Sequence, residues 1–174
     1  MAGLQKMVEQ IDQLNEKLGR WCSWLTLVLV ILVCFDVVIR YVFSDSSAWI
    51  MELEWHIFSL IFLLGAAYAL KNDRHVRVDL FYAKFSPKDK ALVNLIGNLF
   101  FLIPWCCIII VYSFEYALTS YQIGETSPDP GGLPARYIIK FSITLGISLL
   151  LIQAIGEVVR AYLELTQSSP KSSE

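Results

Sequence analysis

Four long apolar stretches divide the chain, and they occupy residues 21–43, 49–70, 91–113 and 136–159. A helix needs about 20 residues to cross about 30 Å of hydrocarbon, so each stretch is long enough to span a membrane. Backbone polar groups have no water partner in lipid, which requires helices or a closed barrel. Residues 25–35 form an unbroken apolar run without the alternation of a barrel strand. The pattern predicts an all-α integral membrane protein with four transmembrane helices in a single membrane domain, 1–174.

Residues 1–20 follow a different pattern, in which apolar side chains recur every three or four positions. Polar residues occupy the opposite face, so the spacing predicts an amphipathic helix. Because this helix adjoins a span, we expect it to lie at the membrane interface, although a partner subunit would also cover its apolar stripe. Tryptophans near span ends are typical of the same interface. The side chains expected to face a partner or the interface are Leu4, Met7, Ile11, Leu14, Trp21, Trp49 and Trp55.

Lys and Arg are unevenly distributed over the connecting segments. Eleven of the 14 lie in the N-terminal segment, the loop 71–90 and the tail 160–174, whereas the link 44–48 and the loop 114–135 contain none. Cytoplasmic loops carry the excess of positive charge in membrane proteins. We therefore expect both termini and the loop 71–90 to be cytoplasmic, and the loop 114–135 to be periplasmic. The short link makes the first two spans an antiparallel hairpin.

Composition excludes several classes of protein. Hydrophobic residues make up 56% of the chain and charged residues 17%, with a formal net charge of −2. That balance argues against a soluble domain, a disordered chain or a nucleic-acid-binding protein. The cysteines lie in apolar helices without a C-x-x-C pair, and the two histidines, His56 and His75, are far apart. We therefore predict no haem, zinc or other cofactor, and no enzyme activity.

Three charged side chains lie at the outer end of the first hairpin. Asp36 is inside the first apolar stretch, and Arg40 follows it at i+4 on the same helix face. Glu52 begins the second stretch at a similar depth, so the hairpin predicts a cluster of these three residues. A carboxylate within the membrane costs roughly 2.5–3.5 kcal/mol unless it is compensated. The cluster is either a structural clamp, which the neighbouring cation favours, or part of an ion or proton pathway.

Short motifs in a fixed order resemble a known family. They are Asp36-Val-Val-Ile-Arg40-Tyr41, Trp49, Glu52-Leu53, the sequence GAAYAL at 65–70, His75-Val-Arg77-Val-Asp79, the sequence GETSP at 124–128 and Leu133-Pro134. Together they resemble the small permease subunit, or Q subunit, of tripartite ATP-independent periplasmic (TRAP) transporters, the DctQ-like proteins. Consecutive acids often begin the family's second span, whereas Glu52 and Glu54 are separated here, so the family role is carried over to Glu52 only.

The resemblance implies a function and partners. A Q subunit joins a large M-type membrane subunit, and a periplasmic substrate-binding protein delivers an organic acid to the outer face of the bacterial inner membrane. Uptake in this family is driven by sodium rather than ATP. The overall sequence most resembles sialic-acid systems. The motif His75, Arg77 and Asp79 would lie in the cytoplasmic loop, and membrane lipids would surround the spans.

Two other classes of protein remain as alternatives. A self-contained four-helix transporter could couple transport to protons through Asp36, but such a carboxylate should lack a neighbouring cation, and Arg40 is one. The chain also lacks the internal repeats common in complete transporters. A membrane enzyme is disfavoured because paired cysteines and histidines are missing.

Overall fold

The computed structural model describes residues 2–72, 82 and 84–167. All regular structure in these residues is helical: α1 (Ala2–Val42), α2 (Ala48–Lys71), α3 (Pro87–Gly97), a π-helical turn (Asn98–Leu102), α4 (Ile103–Gln122) and α5 (Tyr137–Gln167). Four helical segments are long and apolar enough to span a membrane. The predicted all-α fold with four candidate spans is confirmed. His75, Arg77 and Asp79 lie outside the described residues.

α1 is one continuous helix of 41 residues, with no break between the segments predicted as 1–20 and 21–43. At about 1.5 Å per residue it is about 61 Å long, roughly twice the hydrocarbon thickness. Its buried positions include Val8, Asn15, Gly19 and Cys22, which share one side of the helix and pass through the predicted boundary. One buried side of α1 therefore continues from the N-terminal segment into the first span.

α5 is the central helix, because it packs against α1, α2, α3 and α4. Its approach to α2 is close: a Cβ added at Gly146 would lie 2.8 Å from both the Cβ atom and the carbonyl oxygen of Leu63. The small residue at this position therefore permits the close approach of the two helices. The apolar core beside this contact is formed by Leu70, Cys106, Ile147, Leu150 and Ala154.

The third span begins at a cap typical of helix starts and contains a π-helical turn before its proline. Ser86 caps α3 by accepting a hydrogen bond from the Asp89 amide at 3.2 Å, and Pro87 follows at the start of the helix. A serine cap, proline at the first helical position and an acid three residues after the cap are typical of a helix start. The π-helical turn ends two residues before Pro104. Because proline clashes with the carbonyl four residues earlier, the wider turn accommodates it without ending the span.

Candidate functional site

We call the end of the bundle that is predicted to face outward the outer end, and the opposite end the inner end. The outer end contains a buried carboxylate that fastens a long loop. Glu52 in α2 is 3% exposed. Its Oε2 accepts a hydrogen bond from the Leu133 amide at 2.6 Å, and its Oε1 accepts from Arg136 Nη2 at 3.0 Å and from the Ser127 hydroxyl. One side chain therefore holds two points of the loop and the residue just before α5. We call these four residues the outer clamp.

Hydrogen bonding within the loop backbone holds the loop in the conformation that the outer clamp binds. The Ser127 amide donates to the Leu133 carbonyl at 3.2 Å, which closes the loop on itself. Gly132 lies inside this closure, and a Cβ added there would be 2.3 Å from Ser127 Oγ and 2.9 Å from Glu52 Oε2. Only glycine leaves room for the carboxylate at this position. The Arg136 guanidinium lies 5.7 Å from the Trp55 ring centroid, a cation–π contact that orients it toward α2.

Asp36 and Arg40 form a separate pair on α1. Arg40 Nη2 donates to Asp36 Oδ2. The Asp36 side chain is 5% exposed, whereas that of Arg40 is 49% exposed. The pair borders a groove of about 320 Å³ that Ser46, Ser47 and Asp129 also line. The α1–α2 hairpin and the tip of the clamped loop therefore meet beside it.

The expected grouping of Asp36, Arg40 and Glu52 needs a correction. The structure brings Asp36 and Arg40 together, but Glu52 bonds to Arg136 and the loop instead. Equal depth in a hairpin does not settle which face of α2 a side chain occupies. Glu52 faces α5, where Arg136 offers its charge together with a backbone amide and a hydroxyl.

A second ion pair secures the other end of the same loop. Lys140 in α5 donates to Glu125, and its Nζ lies 3.9 Å from the Tyr116 ring centroid. The Lys140 ammonium group beside Glu125 lowers the pKa of that carboxyl below its ordinary value of 4.5. Both cations at the start of α5 therefore bind carboxylates on neighbouring elements.

The inner end of the bundle contains a polar network between α1 and α5. Asn15 Nδ2 donates to Gln153 Oε1 at 2.7 Å, and Gln153 Nε2 donates to Glu157 at 2.9 Å and to Asp12 at 3.2 Å. Arg160 bonds to Asp12 at 2.6 Å and to Glu157 at 3.0 Å. We call these five residues the inner network, and it fastens the N-terminal half of α1 onto α5.

The expected interface residues have different surroundings. Ile11 lies against Gly156 of α5, so protein covers this part of the α1 stripe. The Met7 side chain is half-buried. The remaining five are exposed on the protein surface: Leu4, Leu14, Trp21, Trp49 and Trp55. Whether lipid or a partner covers them stays a prediction.

The two polar regions are separated by apolar packing. Along α5, the buried residues Ile147 and Leu150 lie between Lys140 of the outer region and Gln153 of the inner network. Within the described residues, no group of three or more His, Cys, Asp or Glu side chains is placed to hold a metal ion. The polar side chains serve to fasten helices and a loop to one another. The fold and this arrangement define a helical membrane protein with polar fastenings at both ends.

Comparison with known sequences identifies the family. Residues 29–164 match the family described as "Tripartite ATP-independent periplasmic transporters, DctQ component". A Haemophilus influenzae protein described as "Putative TRAP transporter small permease protein" is 29% identical over 135 residues, which cover 77% of this chain and 81% of that protein. The chain therefore belongs to the DctQ component family of TRAP transporters, and the resemblance in its motifs is confirmed. This family is a component of transporters.

Several important residues escaped the sequence reasoning. Arg136 begins the fourth apolar stretch, and the sequence gives no indication of its carboxylate partner. Gln153 bonds to Asn15 and Asp12 of α1, whereas Glu157 bonds to Gln153 and Arg160 within α5. The available signal was Asn15, an amide at a position that the α1 stripe places on its buried side.

Proposed function

We propose that this chain is the small membrane subunit of a sodium-driven, binding-protein-dependent TRAP transporter for an organic acid. In this role it supports a large M-type subunit and works with a periplasmic substrate-binding protein. The observation that carries the proposal is family membership over residues 29–164. By the overall resemblance of the sequence, sialic acid is the substrate to test first.

The placement of polar groups favours a subunit that assists another membrane protein over a transporter that acts alone. The buried polar side chains of the outer clamp and the inner network already have partners within this chain. Asp36 has a cation beside it, which disfavours its use as a lone proton carrier. A transporter acting alone would need a polar site near the middle of the membrane.

The proposal includes a location and an orientation. Both termini lie in the cytoplasm of a bacterial cell, the chain crosses the inner membrane four times, and the loop after α4 faces the periplasm. The N-terminal half of α1 continues beyond the inner end of the first span along α5 on the cytoplasmic side, with Leu4 and Leu14 exposed. The uneven distribution of Lys and Arg supports this orientation.

The test uses proteoliposomes and omits one component at a time. This chain, an M-type large subunit and a periplasmic substrate-binding protein should together accumulate radiolabelled sialic acid when a sodium gradient is applied. Uptake should stop when this chain is omitted, and it should not occur when this chain is the only protein present. A potassium gradient serves as the control for the driving ion.

Different results would overturn different parts of the proposal. Uptake by vesicles that contain only this chain would favour the self-contained proton-coupled transporter. Full uptake by vesicles that lack this chain would show that the chain is not needed for transport. Uptake of another organic acid in place of sialic acid would change the substrate alone, and uptake independent of sodium would change the driving ion alone.

A further inference from the structure

The inner part of α1 has an exposed face that combines two cations with two tryptophans. Lys17, Arg20, Trp21 and Trp24 are spaced so that they lie on one side of the helix. They line an open groove of about 400 Å³. Trp21 is 71% exposed and Trp24 is 67% exposed, so neither ring is used in packing within the chain.

The two cations of this groove are not neutralised by the chain. Lys17 and Arg20 form no salt bridge within the described residues, and both are exposed. The nearest carboxylates are bound elsewhere: Glu16 pairs with Lys71, and Asp12 pairs with Arg160. The groove's own lining contains no carboxylate, and the two carboxylates of the adjoining groove that Lys17 and Arg20 also line, Asp12 and Glu16, are paired with Arg160 and Lys71.

Helix geometry places this face at the level of lipid headgroups. Trp21 precedes Val42, the last residue of α1, by 21 positions, which is about 31 Å along the axis. That distance matches a hydrocarbon thickness of about 30 Å. Trp24 then lies one turn inside the hydrocarbon boundary, and Arg20 and Lys17 lie just outside it. Tryptophan rings and long cationic side chains favour these depths.

We propose that Lys17, Arg20, Trp21 and Trp24 form a binding site for an anionic phospholipid. The Arg20 guanidinium and the Lys17 ammonium group donate hydrogen bonds to the phosphate, and the tryptophan rings pack along the glycerol and the first acyl carbons. A zwitterionic lipid fits less well, because its amine would lie beside two cations and the neighbouring carboxylates Asp12 and Glu16 already pair with Arg160 and Lys71. The site goes beyond the proposed transport role, and only its assignment to the inner leaflet rests on the proposed orientation.

Native mass spectrometry of the full chain in detergent tests the site. Phosphatidylglycerol, phosphatidylcholine and inorganic phosphate are each added, and the retained molecules are counted. We expect phosphatidylglycerol to be retained in preference to the other two. Each cation near an anionic lipid surface strengthens binding several-fold, so Lys17→Gln with Arg20→Gln should weaken retention by roughly tenfold or more.

A matched variant separates this site from general charge attraction. Lys84 and Lys88 are also exposed cations of the predicted cytoplasmic side, but no tryptophan lies near them in the sequence. Lys84→Gln with Lys88→Gln removes the same charge and should leave retention unchanged. If the first double variant fails to insert, Arg20→Gln alone provides the same comparison with a smaller loss.

Three results would overturn the proposal. They are equal loss in both double variants, equal retention of phosphatidylcholine, and displacement of the lipid by inorganic phosphate at similar concentration. None of these measurements involves the large subunit or uptake. Failure of the lipid site is therefore distinguishable from failure of the proposed transport function.

Discussion

The two ends of the helical bundle are fastened in different ways. At the outer end, Glu52 alone receives hydrogen bonds from a hydroxyl, a backbone amide and a guanidinium group. At the inner end, the bonds are shared among five side chains on α1 and α5, and Gln153 both donates and accepts. The outer clamp positions an irregular loop, whereas the inner network joins two regular helices.

This difference predicts how each end responds to damage. The loop has backbone bonds of its own, but its attachment to α2 depends on the one side chain that holds it. Two packed helices keep their backbone hydrogen bonds and apolar contacts when one polar bond is lost. Substitution at the outer clamp should therefore release the whole loop from α2. Substitution of one residue in the inner network should weaken the packing of α1 on α5 only partly.

The largest effect is expected from Glu52→Ala. The change removes every bond that Glu52 makes to Ser127, Leu133 and Arg136, and it leaves the guanidinium group without its carboxylate. Hydrogen–deuterium exchange of peptides covering 123–136 should rise by roughly tenfold or more, because the loop opens without global unfolding. Assembly with the large subunit should fall as well.

Two further variants sharpen this test. Gly132→Ala keeps Glu52 but introduces a Cβ 2.3 Å from Ser127 Oγ, so it should also accelerate exchange in the loop. Glu115→Ala removes an exposed carboxylate of α4 and should change nothing. Unaltered exchange in Glu52→Ala would show that the outer clamp does not position the loop.

The second effect concerns the pair on α1. Breaking a buried ion pair costs roughly 3–5 kcal/mol. Because Arg40 is half-exposed, water reaches its charge, and we expect Arg40→Leu to cost about 2 kcal/mol in thermal unfolding. Asp36→Leu with Arg40→Leu removes the buried carboxylate together with its cation and should cost less than Arg40→Leu alone.

Transport by the same double variant separates the two hypotheses for Asp36. A structural pair predicts that assembly and most of the uptake return together. Restored assembly without uptake would favour a proton or ion pathway through Asp36. Asp45→Leu, which removes an exposed carboxylate of the adjacent link, controls for the loss of charge near the outer face.

The third effect lies in the inner network. Gln153→Leu leaves the Asn15 side chain, which belongs to a residue only 1% exposed, without its partner. Interhelical hydrogen bonds in membranes contribute about 0.6 kcal/mol on average and at most about 1.7 kcal/mol, so the loss should be about 1 kcal/mol. Asn15→Leu with Gln153→Leu should recover part of it. A double-mutant cycle in thermal unfolding measures the coupling, and strictly additive losses would contradict the contact.

How far the sequence predicts this molecule depends on how local each feature is. The spans follow from apolar runs of about 20 residues, and the cap at Ser86 follows from its neighbours Pro87 and Asp89. The bond from Glu52 to Arg136 joins residues 84 positions apart, and a hairpin argument relates only adjacent spans. The apolar stripe of α1 is equally compatible with burial in lipid and with burial against protein. The sequence therefore does not predict that it packs against α5.

The smallest expected effect is a pH dependence at the loop's second ion pair. The Lys140 ammonium group lowers the pKa of the Glu125 carboxyl in the folded state. The folded protein therefore binds the Glu125 proton less readily than the unfolded chain, and the pair adds stability above the ordinary pKa of 4.5. That contribution is lost as the pH falls from 4.5 through the lowered folded pKa. The difference in melting temperature between the native chain and Glu125→Gln should be small and positive at pH 7 and should close on acidification. The difference in melting temperature between the native chain and Glu115→Gln should not change with pH. If the difference for Glu125→Gln increased as the pH falls, the stabilising pair of Lys140 and Glu125 would be contradicted.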